Sequence, residues 1–282
     1  MPQGDLTRIA SNISGLNALN ALKAVNNQLG IHQLRLATGK RINQAADDPA
    51  GLTIATKLNY KSRGLGVALD NIGDAKNLLG VAEGSLMKIN DILLLIRDKA
   101  EQAANDTLGT EERDAIKSQI EQLLHEVDAI VQETEWNGDK LIDGTAGAAD
   151  DGELTFQTGF QSTATTTVSL SSGFDSADLT LNAVDVSDNT KATAYMQSVD
   201  WAIGQVNIQL KDIGAVVSRL TFKEENLIVA KTNTEAAYNR IMNADIAAEQ
   251  LEAMKYQILQ QTATAMLAQA NVAPQAVLGL FR

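Results

Sequence analysis

From Leu65 to Ala103 the chain reads LGVALDNIGDAKNLLGVAEGSLMKINDILLLIRDKAEQA. Apolar residues fall at Leu65, Leu69, Ile72, Ala75, Leu79, Ala82, Leu86, Ile89, Leu93, Ile96, Ala100 and Ala103, in alternating steps of three and four. That is a heptad seam, which keeps one face of a helix against partner helices over many turns. At 1.5 Å per residue the rod is expected to be roughly 58 Å long. Gly66, Gly73, Gly80 and Gly84 lie off the seam. They weaken an isolated helix, so packing by the rest of the chain must hold it.

The packing partners lie on both sides. Upstream, Ile13, Leu16, Leu19, Leu22, Val25, Leu29, Leu34 and Leu36 mark an amphipathic helix rich in Ala and Asn and poor in charge. Gly39 is placed to end it. Asp48 before Pro49 reads as an N-cap followed by the first helical residue. Asp47 and Asp48 are therefore read as helix-start residues, not as a metal or acid/base pair. Downstream, Asn105 to Gly109 forms a turn and Thr110 is expected to cap a second rod, with the seam Ile116, Ile120, Leu123, Val127, Ile130 and Thr134. Trp136-Asn-Gly138 closes that rod. Heptads return at Val199, Ile203, Val206, Leu210, Ile213, Val217, Leu220, Leu227, Thr234, Tyr238 and Ile241, with polar Glu224 and Lys231 also on the seam. A last helix is expected from about Asp245 to Ala270, and the apolar tail Val277, Leu278, Leu280 and Phe281 follows.

Between the rods, residues 144 to 190 turn to Gly, Ser, Thr and Asp. Three β-like runs are read there: Glu153 to Thr158, Thr165 to Leu170 and Leu179 to Val186. The hydroxyls suit either solvated turns or O-linked sugars. The fold class is thus mainly α, with long antiparallel helical rods in a coiled-coil-like hairpin and a small β-rich insert. The two terminal helices are expected to pair, the rods to pair beside them, and the insert to sit at the far end.

Composition narrows the function. Of 282 residues 44 % are apolar and 4 % aromatic, which suits close helix packing. The absence of cysteine removes disulfides, thiolate metal sites and thiol nucleophiles. A net charge of −12 argues against nucleic-acid binding. No apolar window is long enough to span a membrane, and the first thirty residues lack a secretory signal pattern. His32 and His125 show no evident partners, and no His, Cys or acid cluster suggests an enzyme site or a cofactor.

Three motifs point to one family. Leu36-Ala-Thr-Gly-Lys-Arg41-Ile-Asn43-Gln-Ala-Ala-Asp47-Asp48-Pro-Ala-Gly51-Leu52 resembles the signature of bacterial flagellins. So do Asn243-Ala-Asp-Ile-Ala-Ala-Glu249 and the run Gln257-Ile258-Leu259 to Asn271 with Pro274-Gln-Ala-Val277-Leu278. Trp136-Asn-Gly-Asp-Lys-Leu141 is similar to the segment closing the second rod, where Phe is more usual than Trp. The resemblance implies a secreted, extracellular subunit that polymerises into the flagellar filament for swimming. A hook–filament junction protein, which shares the terminal motifs, is the alternative. It implies that residues 1–44 and 240–282 form the filament's inner core, 45–143 and 187–239 the rod, and 144–186 a surface-facing insert. Subunit packing is expected at Leu16, Leu19, Leu22, Leu29, Arg41, Asn43, Asp47, Asp48, Ile258, Leu259, Leu267, Asn271, Val277 and Leu278. Implied partners are further copies of the chain, a flagellar export chaperone and the type III export apparatus, the filament cap and hook-associated junction proteins. Enteric flagellins also present an Arg, a Leu and a Glu to Toll-like receptor 5. Those positions fall at Leu95, Lys99 and Gln119 here, all three of which depart, so weak recognition is expected.

Overall fold

A computed structural model describes residues 12–147 and 151–279, with side chains as far as Val272. Residues 1–11, 148–150 and 280–282, including the expected tail residues Leu280 and Phe281, lie outside the described residues. The elements are α1 (Ile13–Thr38), α2 (Pro49–Ala103), α3 (Thr110–Glu133), β1 (Glu135–Trp136), β2 (Asp139–Lys140), β3 (Glu153–Gln157), β4 (Thr165–Ser169), α4 (Asn189–Met242) and α5 (Ile246–Gly279). They divide into two compact units, Met1–Tyr60 with Asn233–Arg282, and Lys61–Thr232.

The second unit is built on the α2 seam. Every residue of that seam except Leu69 is buried, at 2 % exposure or less, and Ala68 takes the place of Leu69. The facing seams use a wider stripe than a strict heptad predicts. On α3 the buried residues are Ile116, Ile120, Leu124, Val127 and Val131, with Leu123 and Ile130 only half-buried. On α4 within this unit they are Ala192, Tyr195, Val199, Ala202, Val206, Gln209, Ile213, Val216 and Leu220, flanked by half-buried Ile203, Leu210 and Val217. A helix packed by more than one neighbour buries a broader face, so the adjacent position is taken at alternate steps. Gln209 is buried because its amide donates to the Ser169 carbonyl of β4 at 3.0 Å. Glu224, polar on the seam, accepts from Lys76 of α2 at 3.0 Å.

Two helix starts and two ends follow local chemistry. Asp48 accepts from the Gly51 amide at 2.8 Å and caps α2 as its sequence predicts. Thr110 does not cap α3: it is the first helical residue, and Gly109 stands at the N-cap without a side-chain bond. Gly39 ends α1 in the left-handed region at φ 67°, its amide bonded to the Arg35 carbonyl. The last helix runs nine residues beyond Ala270, to Gly279. Pro274 removes one backbone donor, but the Ala, Gln and Leu around it remain good helix formers.

The β part corrects two expectations. β1 and β2 form a hairpin on Asn137 (φ 56°) and Gly138 (φ 95°), the left-handed pair that a tight hairpin turn demands. β3 and β4 pair antiparallel from Glu153↔Ser169 to Gln157↔Thr165. Leu179 to Val186 is not a strand. Its apolar residues Leu179, Leu181, Val184 and Val186 are buried, but the backbone turns back on itself through Leu179 N to Asp175 O and Leu181 N to Ser176 O. Asp128 of α3 holds that loop by accepting from Ser176 N at 2.7 Å and Ser176 Oγ at 2.9 Å.

The insert is also not at the far end of its unit. The β3–β4 tip lies beside the start of the unit. Lys223 donates to buried Thr158 at 2.5 Å, Lys61 stands over the Phe160 ring at 5.6 Å, and a Cβ on Gly64 would come within 2.9 Å of Phe160. Because α3 returns antiparallel to α2, the chain leaves it beside Gly80 and Gly84, and β3 carries on from there past Asn71, which donates to Gln157 O at 3.0 Å, to Phe160 beside Gly64. The far tip is instead closed by Arg113, which donates to the carbonyls of Ala103 (3.1 Å), Asn105 (3.1 Å) and Ser187 (3.4 Å). A guanidinium there satisfies the free carbonyls of the α2 C-terminus.

Leu86 is 0 % exposed and its neighbour Met87 is 55 % exposed. Leu86→Ala should therefore cost about 3 kcal/mol of subunit stability by urea unfolding, and Met87→Ala less than about 0.5 kcal/mol. Equal losses at the two sites would contradict the seam.

Candidate functional site

The first unit has little core of its own. α1 and α5 lie antiparallel, as shown by Asn12 donating to Ala270 O (3.1 Å), Gln260 to Asn26 (2.8 Å), and His32 meeting Glu249 (2.5 Å). Along α1 only Gly15 and Leu29 are buried, and along α5 only Ala253 and Ala263 among the described side chains. The large apolar residues mostly face outward. Leu16 is 58 % exposed, Leu251 61 %, Ile258 64 % and Met266 63 %. Leu259 is exposed, while Leu19, Leu22 and Leu267 are half-buried. Alternation of Ala with Leu and Ile on α1, and with Leu, Ile and Met on α5, leaves apolar side chains on more faces than one partner helix can cover.

Polar groups hold the helix pair in register. Asn271 accepts from Asn12 at 3.2 Å. Glu249 takes one oxygen to His32 and the other to Arg35 at 3.2 Å, and the His32 ring stacks on Tyr256 with centroids 5.2 Å apart. His32 thus has the partner that its sequence did not suggest. A separation of 217 residues hides the pair from any local pattern. The one available signal was that Glu249 closes the Asn243 motif.

The signature loop is a knot within this unit. Arg41 donates through Nε and a terminal nitrogen to Ile241 O at 3.2 and 3.1 Å, and meets Asp48 at 3.3 Å. Its amide bonds Met242 O, and the Ala244 amide bonds Gly39 O. Asn43 donates to Lys40 O at 2.9 Å. Asp47 accepts from the amides of Asn43 and Gln44, and these bonds hold its carboxyl below the usual range. Beneath the loop, Ile42, Ala55 and Met242 form a small apolar cluster. Arg41, Asn43, Asp47 and Asp48 therefore come together, joining the α1–α2 turn to the α4–α5 turn, while the leucines and isoleucines stand on the helix pair. The side chains of Val277 and Leu278 lie outside the described ones.

On the second unit, Leu95 is 52 % exposed on α2, one turn before half-buried Lys99. Lys99 and exposed Gln119 line an open groove of about 670 Å³ between α2 and α3, with Leu123 and Glu126. Among the described residues no group of three or more His, Asp or Glu side chains is placed to hold a metal ion. No described helix is long and apolar enough to cross a membrane.

The comparisons agree with this picture. Residues 9–147 match the family model of the bacterial flagellin N-terminal helical region, and residues 196–281 that of the C-terminal helical region. The chain is 38 % identical to the flagellin of Bacillus subtilis, over 98 % of this chain and 100 % of that one. It is 34 % identical to a flagellar filament 33 kDa core protein of Treponema phagedenis, over 97 % of this chain and 99 % of that one. A solved structure from Vibrio parahaemolyticus, assigned to the hook-associated proteins, aligns with a TM-score of 0.59 over 70 % of this chain and 100 % of that one. At 13 % identity it shares the fold alone. Matched at both ends by family models and over nearly its whole length by filament proteins, the chain belongs to the bacterial flagellin family and is a structural subunit of the flagellar filament.

Proposed function

We propose that the α1–α5 pair is the surface through which copies assemble, with 1–44 and 240–282 forming the inner core of the filament. The helical segments 45–143 and 187–239 make the shell around it, and 144–186 faces outward. The observation that carries this reading is the exposure of Leu16, Leu251, Ile258 and Met266 on a helix pair with almost no core. Full burial of each such side chain is worth about 1.5–3 kcal/mol before the cost of association is subtracted. One copy leaves that free energy unused and many copies recover it.

The remaining roles rest on family membership and chemistry. The chain leaves the cell through the type III export apparatus, guided by an export chaperone, and works outside the cell. Its neighbours there are the filament cap, the hook-associated junction proteins and its own copies. A chain without cysteine passes export without disulfide chemistry. Arg41, Asn43, Asp47 and Asp48 act on assembly indirectly, by fixing the turns that aim α1 and α5. Leu19, Leu22, Leu259, Leu267 and Asn271 belong to the same surface, Leu29 is buried within the helix pair and holds it together, and Val277 and Leu278 are assigned to subunit packing with them.

Ile258→Glu should leave the melting of the free subunit unchanged and raise the critical concentration for polymerisation about thirtyfold or more, since an unpaired carboxylate buried between copies costs at least about 2 kcal/mol. Deleting residues 243–282 should abolish filaments while circular dichroism still reports helix. Normal polymerisation of the truncated chain would rule out the inner-core assignment.

Toll-like receptor 5 should be activated poorly. Leu95 lacks the forked donors of a guanidinium, Lys99 sets an ammonium where an apolar contact is expected, and Gln119 has no charge. Losing a central Arg anchor costs about 2 kcal/mol or more, roughly thirtyfold in affinity. In a reporter-cell assay the chain carrying Leu95→Arg, Lys99→Leu and Gln119→Glu should be the stronger agonist. Strong activation by the unaltered subunit would contradict this.

A further inference from the structure

A pocket of about 250 Å³ lies on the second unit between α2, β1 and β3. Buried Ala75 and Leu78 of α2 give it an apolar lining, and half-buried Trp136 of β1 and Phe156 of β3 add two aromatic rings. Asn71 and exposed Asp74, one turn apart on α2, bring polar groups to it, with Gln157 and exposed Thr155 from β3. The helix pair proposed for assembly belongs to the first unit, so the pocket is no part of that surface.

The hydrogen bonds around the pocket leave acceptors over. Gln157 spends its side-chain amide on the carbonyls of Gly159 (2.7 Å) and Gln161 (2.6 Å). Asn71 donates to the Gln157 carbonyl at 3.0 Å, which leaves its Oδ1 and one amide hydrogen. The Thr155 hydroxyl can give or accept. Asp74 has neither a hydrogen bond nor an ion pair among the described residues. Neighbouring lysines are engaged elsewhere: Lys76 with Glu224 at 3.0 Å, Lys140 with Glu135 at 3.2 Å and Lys223 with Thr158 at 2.5 Å. Exposed Asp70 lies one turn before Asp74, and exposed Asp139 pairs across from Trp136. The local charge is therefore negative, and the Asp74 carboxylate stands at the pocket without a counter-ion.

We propose that this pocket binds a small free alkylguanidinium. A carboxylate beside two aromatic rings attracts a cation, by its charge and by the ring quadrupoles, and repels anions. A guanidinium suits the set best. It is planar and stacks on aromatic faces, it carries N–H donors for Asp74 and for Asn71 Oδ1, and it is more weakly hydrated than an ammonium. A quaternary ammonium would leave both acceptors without a donor, and a neutral sugar would leave the carboxylate without a charge. At about 250 Å³ the space holds a head group and a short chain, less than a drug-sized ligand.

Agmatine is the probe, and Trp136 is its reporter in the full chain carrying Trp201→Phe, which removes the other indole. At constant ionic strength agmatine should change the Trp136 emission saturably, with a Kd of about 1 mM for a ligand of so few atoms. Calorimetry on the unaltered chain should return the same constant. Butylamine, which has the chain without the guanidinium, should bind at least about tenfold more weakly. Asp74→Asn should weaken agmatine by at least about tenfold and leave the circular dichroism unchanged, since the side chain is exposed and nearly isosteric. Undiminished binding by Asp74→Asn would put the ligand elsewhere and overturn the site. Butylamine binding as tightly as agmatine would overturn the guanidinium assignment, and the absence of both heat and emission change would overturn the pocket itself. Agmatine should bind equally in filaments grown from pure chain. Its loss there would hand the pocket to a side chain of another copy and overturn the free ligand.

Discussion

A helix that carries glycine at 66, 73, 80 and 84 holds its length only while its other face stays dry. The row from Ile72 to Ala103 on α2 is that face, each residue at 0 % exposure. It is covered by α3, α4, the loop at 174–186 and the two hairpins, all in one apolar cluster. Because α2 is covered on several sides, every element of the second unit can be located by what it lays against this row. Ion pairs such as Arg97–Asp200 at 2.7 Å sit on the rim, where they set register more than stability.

The first unit follows a different rule. Its largest residues point outward, and its interior is closed by Ala, Gly and a few larger side chains. What specifies its form is polar: the Glu249 link to His32 and Arg35, the asparagines near the helix ends, and the knot around Arg41. Directional bonds can fix helix register without contributing much net stability. A unit so held is specific in shape yet short of apolar burial, which is what the proposed assembly through α1 and α5 requires.

The flagellin signature acquires a physical meaning from this arrangement. Arg41 bridges two turns nearly 200 residues apart in sequence, reaching Ile241 O and Asp48 together. Asp48 caps α2, and Asp47 ties down the amides that precede it. Arg41, Asn43, Asp47 and Asp48 of the motif each serve the turn that joins a terminal helix to a rod helix. A motif that looks like an interaction code is thus largely a corner piece.

Much of this was legible in the amino-acid sequence, and the parts that were share a cause. Heptad spacing, the Asp48-Pro49 start, the Gly39 stop and the end of the second rod at Trp136-Asn-Gly138 are set by contacts a few residues apart, so a linear reading recovers them, though not the hairpin that Asn137 and Gly138 turn. The choice of Leu124 over Leu123, or of Val216 over Val217, is not of this kind, because both neighbours are apolar and only the direction of the packing partner decides. The run Leu179 to Val186 has the alternation of a strand but pairs with neither two-stranded sheet, and Asp128 and local turns shape it instead. His32 found Glu249, and the hairpin found Lys61 and Lys223, across separations that no periodicity spans. Sequence alone determined which faces are apolar and where α1 stops and α2 starts, while it ended the last helix nine residues short of Gly279. Only the tertiary structure decided which of those faces are already covered, because coverage depends on residues brought together from distant parts of the chain.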